Sequence, residues 1–494
     1  MTRRAWVRLD NASNIFLAAR SDADSKVFRL SAELDEDVDP RLLQEALDLT
    51  YDRYRLYHAV LRRGVFWYYL QDSDLHPLVT AEKLPTCAPI YHQDRRRLLF
   101  RVSHHRQRIV LEVFHALSDG AGALWFLSDL VSAYVKLRHP EQSDPPNETR
   151  ESVDSITDAV RTDAGRAGTA LAEVSTASGG TTVGPMHGLV ADSFAHYFRR
   201  GRRRRAATSE SEFSRVALPA VLAVAPDSRT PSRSSAGIDR PRRPPRKRVH
   251  RVSGTRTPDN RTCVVELTMP ATDVLALARA EGVALTMYLT ALFFEAVRRS
   301  SNGLGKTRTL GASVPVNLRQ FFPSTSPRNF FATIRVEHTY GEGADDLGSV
   351  CRHLESQFRP EATPEALEKK LRRFIRFERM PVLRIVPRPL KDVILKLVNW
   401  DNNRGLTIAV SNLGRVSLPE PADSRVGRML FHVSAARPQL SAISHAGLLT
   451  LSFTSPFVET DHITEFARLL TGSGIPVTVA AARVTEAEIA EDQS

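Results

Sequence analysis

The chain has 494 residues, enough for two sizeable domains, and 42% of them are apolar, as in globular proteins. Its three cysteines, Cys87, Cys263 and Cys351, lie far apart in the sequence, which excludes a zinc site built from cysteines and is typical of a reducing compartment. No apolar run approaches the ~18 residues that span a bilayer, and the first residues lack the apolar core of a signal peptide, so the expected location is the cytoplasm.

The net charge of +12 comes from one segment. Residues 199–251 contain 16 Lys and Arg against 4 acidic residues, so the rest of the chain is neutral overall. No aromatic side chains are interleaved within its arginine clusters, which argues against a stacking platform for nucleic acid, and nucleic acid is not the expected main ligand. The segment is either a solvated insertion or a site for an acidic partner or a membrane surface.

The first 140 residues predict an α/β lobe. Residues 26–34 alternate between apolar and polar side chains, as in a half-buried strand, and a helix is predicted to begin at Pro40. Segments 98–103 and 108–114 predict a β-hairpin, which a helix over 121–136 follows. This order of strands and helices indicates a mixed sheet flanked by helices.

The hairpin leads into FHALSDG at residues 114–120, which reads as H-x-x-x-D-G. The two-residue period of a strand places His115 on the side of the apolar residues of its strand, and an imidazole there can serve as a base for a buried substrate. Asp119 falls at the turn into the helix, and Gly120 removes a side chain where the backbone turns tightly or approaches another group. Taken alone, the same pattern also describes a helix cap beside a structural histidine.

Residues 141–248 are polar and rich in Gly, Ser, Thr, Pro and Arg. Such a composition does not bury enough apolar surface to offset chain entropy, so we predict a linker followed by a disordered basic insert. A second α/β lobe is predicted over 249–480, after a first lobe over 1–140. Its main predicted strands lie at 263–269, 309–316, 332–336, 406–412 and 448–454.

Three segments carry a family resemblance: FHALSDGAGAL, SVPVNLR followed by FFPSTSPRNFF, and VSNLGRVSLP. Together they resemble the acyltransferase superfamily that includes chloramphenicol acetyltransferase, condensation domains of peptide synthetases, wax ester synthases and alcohol acetyltransferases. The closest likeness is to bacterial alcohol acetyltransferase-like proteins, and it covers both lobes but not the basic insert. The resemblance implies an α/β fold of two related lobes, each a mixed sheet flanked by helices, with a substrate tunnel between them.

The resemblance also implies roles for individual residues. His115 matches the catalytic base of the superfamily. Asp119 matches an aspartate that acts structurally by pairing with an arginine, which corresponds here to Arg319, and Gly120 completes the motif. Ser411 and Asn412 match a Ser-Asn pair that lines the tunnel. The donor of a hydrogen bond to the oxyanion is left open between this pair and a backbone N–H near Gly120.

The implied reaction moves an acyl group from acyl-CoA to a hydroxyl or, with lower preference, to an amine. Acyl-CoA is then a co-substrate, and no permanently bound cofactor or metal is implied. Phe114 stands where condensation domains and wax ester synthases have a first histidine, but other members keep the second alone. Two alternatives remain: an amide-forming condensation enzyme with a carrier-bound donor, and a non-catalytic scaffold whose basic insert binds an anionic partner.

Overall fold

The structure is a computed structural model that describes residues 6–9, 11–92, 95–140, 248–301, 304–305, 307–378 and 386–481. The predicted linker and basic insert, 141–248, lies outside the described residues except for Arg248. Among the residues described, no single helix is both long and apolar enough to cross a membrane. One consecutive pair, Ala271–Ala280 and Leu285–Ser300, passes that test only together and with a bend of 85°.

Fifteen strands are described. They are β1 (Trp6–Arg8), β2 (Val27–Leu34), β3 (Ala59–Arg63), β4 (Tyr68–Asp72), β5 (Thr80–Ala81), β6 (Phe100–His105), β7 (Arg108–Phe114), β8 (Cys263–Pro270), β9 (Thr309–Asn317), β10 (Phe331–Thr339), β11 (Ile408–Arg415), β12 (Val426–Val433), β13 (Gln439–His445), β14 (Leu448–Ser455) and β15 (Thr478–Ala481).

Ten α-helices are described with them. They are α1 (Asn11–Ala19), α2 (Pro40–Arg53), α3 (Gly120–Arg138), α4 (Ala271–Ala280), α5 (Leu285–Ser300), α6 (Leu347–Glu361), α7 (Pro364–Glu378), α8 (Arg388–Arg404), α9 (Ala422–Arg425) and α10 (Asp461–Gly472). The predicted strands and the helices beginning at Pro40 and near Gly120 are therefore confirmed within a few residues.

The strands form two large sheets and one small sheet. The first large sheet has the order β12-β2-β7-β6-β5, and the second has the order β10-β9-β11-β13-β14-β8-β15. The third sheet, β1-β4-β3, has three strands. Both large sheets mix parallel with antiparallel pairs and are flanked by helices, so the predicted mixed α/β fold is confirmed.

One strand crosses between the two halves of the chain. β12 comes from the C-terminal half but pairs antiparallel with β2, with Met429 opposite Ala32 and Phe431 opposite Leu30. The other strands of the five-stranded sheet come from the first 140 residues, and every strand of the seven-stranded sheet follows residue 249. The sheets are therefore joined by strand exchange as well as by packing.

Each large sheet has its own apolar core. Helices α2 and α3 pack on the five-stranded sheet, while α5 lies in the core beside the seven-stranded sheet with its residues 287–297 buried. β9 carries no charged side chain because it is an interior strand, hydrogen-bonded on both sides. This packing places the ends of β7 and β9 near each other, at the H-x-x-x-D-G sequence.

Candidate active site

His115 follows the last residue of β7. Its backbone N–H donates to the carbonyl of Lys26 over 2.8 Å, which continues the pairing of β7 with β2 by one residue. The ring of Phe16 stacks on the imidazole with a centroid distance of 3.8 Å and an angle of 10° between the planes, and Phe28 meets it edge-on at 5.0 Å. Helix α1 and strand β2 therefore enclose the imidazole between aromatic rings.

This burial lowers the pKa of His115 to about 4, against smaller opposing effects that include the charge of Asp119 and the hydrogen bond that His115 donates to Asn329. The imidazole is consequently neutral at physiological pH, which is the form a general base needs.

Asn329 determines which nitrogen of His115 carries the proton. The amide Nδ2 of Asn329 donates to the backbone carbonyl of His115 over 2.7 Å and to the hydroxyl of Ser13 over 2.9 Å. A carbonyl only accepts, so this contact fixes the orientation of the amide and leaves its Oδ1 3.2 Å from Nδ1 of His115. Nδ1 must then donate, and Nε2 keeps the lone pair with which it can accept a proton.

Asp119 joins three elements with one carboxylate. Its Oδ1 accepts from the backbone N–H of Gly122 over 2.8 Å, which caps helix α3. Its Oδ2 accepts from Nη1 of Arg319 over 2.8 Å and from the backbone N–H of Phe330 over 2.7 Å. Asp119 and Arg319 are both buried at this ion pair, so the structure brings these two predicted residues together.

Arg319 lies in a short 3-10 turn directly after β9 and organises the loop that follows, residues 321–330. Its Nη2 donates to the carbonyls of Ser326 over 2.8 Å and Arg328 over 2.6 Å. Its guanidinium carbon also lies 5.1 Å from the ring centre of Trp125 on α3. The arginine thus ties the 321–330 loop to the start of helix α3.

Close packing between the 321–330 loop and helix α3 explains why residue 122 is a glycine. The hydroxyl of Ser118 donates to the carbonyl of Pro327 over 2.5 Å, and a Cβ placed on Gly122 would lie 2.1 Å from that carbonyl oxygen. Only glycine allows the 321–330 loop to approach helix α3 so closely. Since this loop carries Asn329, the contact also sets the distance from Asn329 to His115.

Gly120 approaches a different element. A Cβ at this position would lie 3.0 Å from Cδ2 of Leu413 and 3.6 Å from Phe431. Leu413 belongs to β11 and Phe431 to β12, so the start of helix α3 also contacts the C-terminal half of the chain.

The two other predicted residues lie on β11 with their side chains on opposite faces. Asn412 shares a face with the core residues Ile408 and Val410, and its amide donates to the hydroxyl of Thr286 over 3.1 Å. Its Oδ1 accepts from the backbone of Gly414 over 2.8 Å. Ser411 is on the other face. Within the described part of the chain, no hydrogen bond joins either residue to His115, and their roles stay predictions.

Sequence reasoning gave no role to Asn329, Ser13 or Phe16. Asn329 is 214 residues from His115, and a single asparagine in a loop follows no pattern that marks it. The signal that was present is its place in FFPSTSPRNFF, a segment that carries the resemblance. Among the described residues, no group of three or more His, Cys, Asp or Glu is arranged to hold a metal ion.

No family model and no curated protein matches this chain in sequence. Solved structures do match over nearly the whole length. Polyketide synthase associated protein 5 from Mycobacterium tuberculosis has 14% identity and a TM-score of 0.53, with coverage of 95% of this chain and 98% of its own. TRI101 from F. graminearum, solved with coenzyme A and T-2 mycotoxin, has 10% identity and a TM-score of 0.54, with coverage of 95% and 97%.

A third match is the trichothecene 15-O-acetyltransferase TRI3 from Fusarium sporotrichioides, with 10% identity, a TM-score of 0.53 and coverage of 95% of both chains. Identities this low establish the fold and leave the substrate open. The chain therefore shares its two-lobed, mixed α/β fold with these three proteins.

Proposed function

We propose that this protein is an acyltransferase that moves an acyl group from acyl-CoA to a hydroxyl acceptor, with His115 as the general base. The observation that carries the proposal is the hydrogen bond between Nδ1 of His115 and Asn329, which leaves the lone pair on Nε2 of a neutral imidazole. Two proteins of the same fold support the reaction class, because one was solved with coenzyme A and the other is named as an O-acetyltransferase.

The proposed chemistry needs one proton carrier. A hydroxyl attacks a thioester poorly while it holds its proton, and Nε2 of His115 takes that proton as the new C–O bond forms. The tetrahedral intermediate then expels the thiolate of coenzyme A, which receives the proton from the imidazolium. The products are an ester and free coenzyme A, and His115 returns to its neutral form. Such a base contributes ~10²–10⁴-fold to the rate.

The remaining predicted residues have supporting roles in this proposal. Asp119 and Arg319 hold the 321–330 loop and therefore Asn329, so they are positioning residues. Asn412 uses its amide to bond Thr286, whereas Ser411 lies on the opposite face of β11. Ser411 is accordingly our preferred candidate to donate to the oxyanion. We propose that the tunnel for both substrates lies between the two large sheets.

The test is release of free coenzyme A from acetyl-CoA and longer acyl-CoAs, with a panel of alcohols and amines and with identification of the ester or amide formed. We expect acceptor-dependent release by the wild type and a loss of ~10²-fold or more in His115→Ala. His104→Ala, which changes a histidine at the far end of the β6–β7 hairpin, is the matched control and should keep the wild-type rate. Equal rates for wild type and a folded His115→Ala would remove His115 as the base.

A further inference from the structure

Helix α8 turns its apolar side chains to solvent. These residues follow the spacing of one helical face, and each is exposed by between 38% and 60%: Leu390, Val393, Ile394, Leu397 and Trp400. A surface helix of a globular protein normally does the reverse and places its apolar stripe against the core. The inverted arrangement indicates that the stripe meets something other than water.

The polar residues of α8 hold this orientation. Asp392 accepts a hydrogen bond from the hydroxyl of Tyr68 over 2.9 Å, and Nη1 of Arg388 donates to the carbonyl of Gly64 over 2.9 Å. The ammonium of Lys391 lies 3.5 Å from the ring centre of Trp67. The inner face of the helix is therefore bound to strand β4 and to the turn between β3 and β4, and the apolar face points outward as a consequence.

The same turn enlarges the apolar surface. Val65 and Phe66 lie at its tip with 73% and 43% exposure, and the backbone N–H of Arg388 donates to the carbonyl of Val65 over 3.1 Å. These two residues continue the stripe beyond the first turn of the helix. We call the seven residues the α8 patch: Val65, Phe66, Leu390, Val393, Ile394, Leu397 and Trp400.

Among the described residues of β3 and α8, the exposed charged side chains are positive. They are Arg62 and Arg63 at the end of β3, and Lys396 and Arg404 on the helix. The two acidic residues of α8, Asp392 and Asp401, are half-buried. An apolar centre with a cationic border matches the interface of a membrane, where acyl chains receive apolar side chains and phosphates meet Lys and Arg.

We propose that the α8 patch docks on the surface of a bilayer that contains anionic lipid. Trp400 and Phe66 are the residue types that settle at the level of the headgroups. A second copy of this chain fits less well, because a symmetric dimer through the patch would bring the cationic borders of both copies together.

The location of the patch gives this docking a consequence for substrate choice. Helix α8 packs against α1, and Phe16 of α1 stacks on the imidazole of His115. A bilayer on the patch therefore lies one helix away from the proposed base. Resting on the proposed function, the inference is that the hydroxyl acceptor is a lipophilic compound that partitions into the membrane.

The test measures binding of the full chain to vesicles by co-sedimentation at physiological ionic strength. One set of vesicles is phosphatidylcholine, and the other contains equal parts of phosphatidylcholine and phosphatidylglycerol. We expect binding to the mixed vesicles, and a loss of about tenfold or more in Leu397→Glu. Leu49→Glu is the matched control, since Leu49 on α2 is 57% exposed and Leu397 is 60% exposed, and it should bind as the wild type does.

A separate experiment with brominated lipids measures how deeply Trp400 enters the bilayer. The brominated lipids should quench tryptophan fluorescence in the wild type and much less in Trp400→Phe. Equal vesicle binding by Leu397→Glu and Leu49→Glu would overturn the proposal and assign any binding to the basic segment 199–251. A dimer that Leu397→Glu converts to a monomer, without vesicle binding by the wild type, would overturn it in favour of a second copy. Neither result depends on the release of coenzyme A in solution. The membrane proposal can therefore fail while the proposed function holds, and the reverse is also possible.

Discussion

At the scale of single residues, the protonation state of His115 depends on burial, and the orientation of its ring depends on one neighbour, Asn329. Oδ1 of Asn329 accepts from Nδ1 and is uncharged, so it orients the ring without adding a charge that would favour the imidazolium. Burial then dominates and lowers the pKa of His115 to about 4. The side chain is a weak base that is nearly always in its reactive form, which suits an enzyme whose rate is to be insensitive to pH above neutrality.

This arrangement predicts the pH dependence of catalysis and its change in Asn329→Asp. In the wild type, kcat/KM should rise with pH through about 4, where the imidazolium loses its proton, and stay level from about pH 6 upward. In Asn329→Asp a carboxylate faces Nδ1 and stabilises the imidazolium, so the pKa of His115 rises and the acid limb moves to higher pH. The measurement is kcat/KM for acetyl-CoA against pH in both proteins.

Asn329→Leu separates charge from the loss of the hydrogen bond. Leucine has the same branching as asparagine, although it is larger, and it leaves Nδ1 without an acceptor. The rate should therefore fall while the acid limb does not move to higher pH. An acid limb for Asn329→Asp at or below that of the wild type would show that residue 329 does not control the protonation of His115.

At the scale of elements, the site depends on a loop that is held by one side chain. Arg319 donates to the carboxylate of Asp119 and to the carbonyls of Ser326 and Arg328, and the 321–330 loop then presents Asn329 to His115. The planar guanidinium can make these bonds at once because its N–H groups point in fixed, diverging directions. A lysine ammonium carries the same charge but cannot span the same three acceptors.

Arg319→Lys should therefore keep the ion pair with Asp119 and lose the loop contacts. We expect kcat to fall by ~10²-fold, because displacement of a positioning group by about 1 Å costs that much. Steady-state kinetics of coenzyme A release give the measurement, and circular dichroism shows that the variant is folded. Arg335→Lys is the control, since Arg335 pairs with Glu337 at an exposed position on β10 and should leave kcat unchanged. A wild-type kcat in Arg319→Lys would contradict the role given to the loop.

At the scale of the whole molecule, local patterns predict elements but not their partners. The alternation in residues 26–34 and the uncharged segment 309–316 predicted strands that the structure contains. Such predictions succeed because the pattern of polar and apolar side chains that marks a strand lies within the strand's own sequence. The pairing of β12 with β2 joins residues about 400 positions apart, and no local period specifies it. The contact of Asn329 with His115 also joins residues that are distant in the sequence, so no local period specifies it either. The role of Arg319 was predicted from the family resemblance alone.

The contact between the two large sheets is also non-local, and it buries charge. Glu266 on β8 accepts from Nε2 of His432 on β12 over 3.0 Å, and its carboxylate lies 3.6 Å from Arg108 and 3.8 Å from Arg428. Arg108 and Arg428 also pair with Glu33 on β2. The acid of one sheet therefore faces basic side chains of the other, and its ionised form belongs to the docked state.

Glu266→Gln tests how much this charge stabilises the docked sheets. Burial raises the pKa of Glu266, but the hydrogen bond of His432 and the charges of Arg108 and Arg428 outweigh it, so the pKa lies below its ordinary value of 4.5. The folded state thus binds a proton less readily than the unfolded chain, and this group's contribution is complete above about pH 4.5 and lost as the pH falls through the folded pKa. Glutamine keeps the shape and the acceptor for His432 but has the charge of the protonated acid.

We therefore expect Glu266→Gln to unfold at a lower temperature than the wild type at pH 7, with a difference of ~2 kcal/mol in unfolding free energy. The difference should shrink as the pH falls below 4.5, because Glu266 of the wild type then becomes protonated and loses its charge, whereas glutamine is uncharged at every pH. Other groups that titrate over this range are shared by both proteins and cancel in the comparison. Glu45→Gln, on the exposed side of α2, should match the wild type at each pH. A difference that stays constant or grows on acidification would mean that Glu266 is not ionised in the contact, and that the two sheets are held by β12 and apolar packing instead.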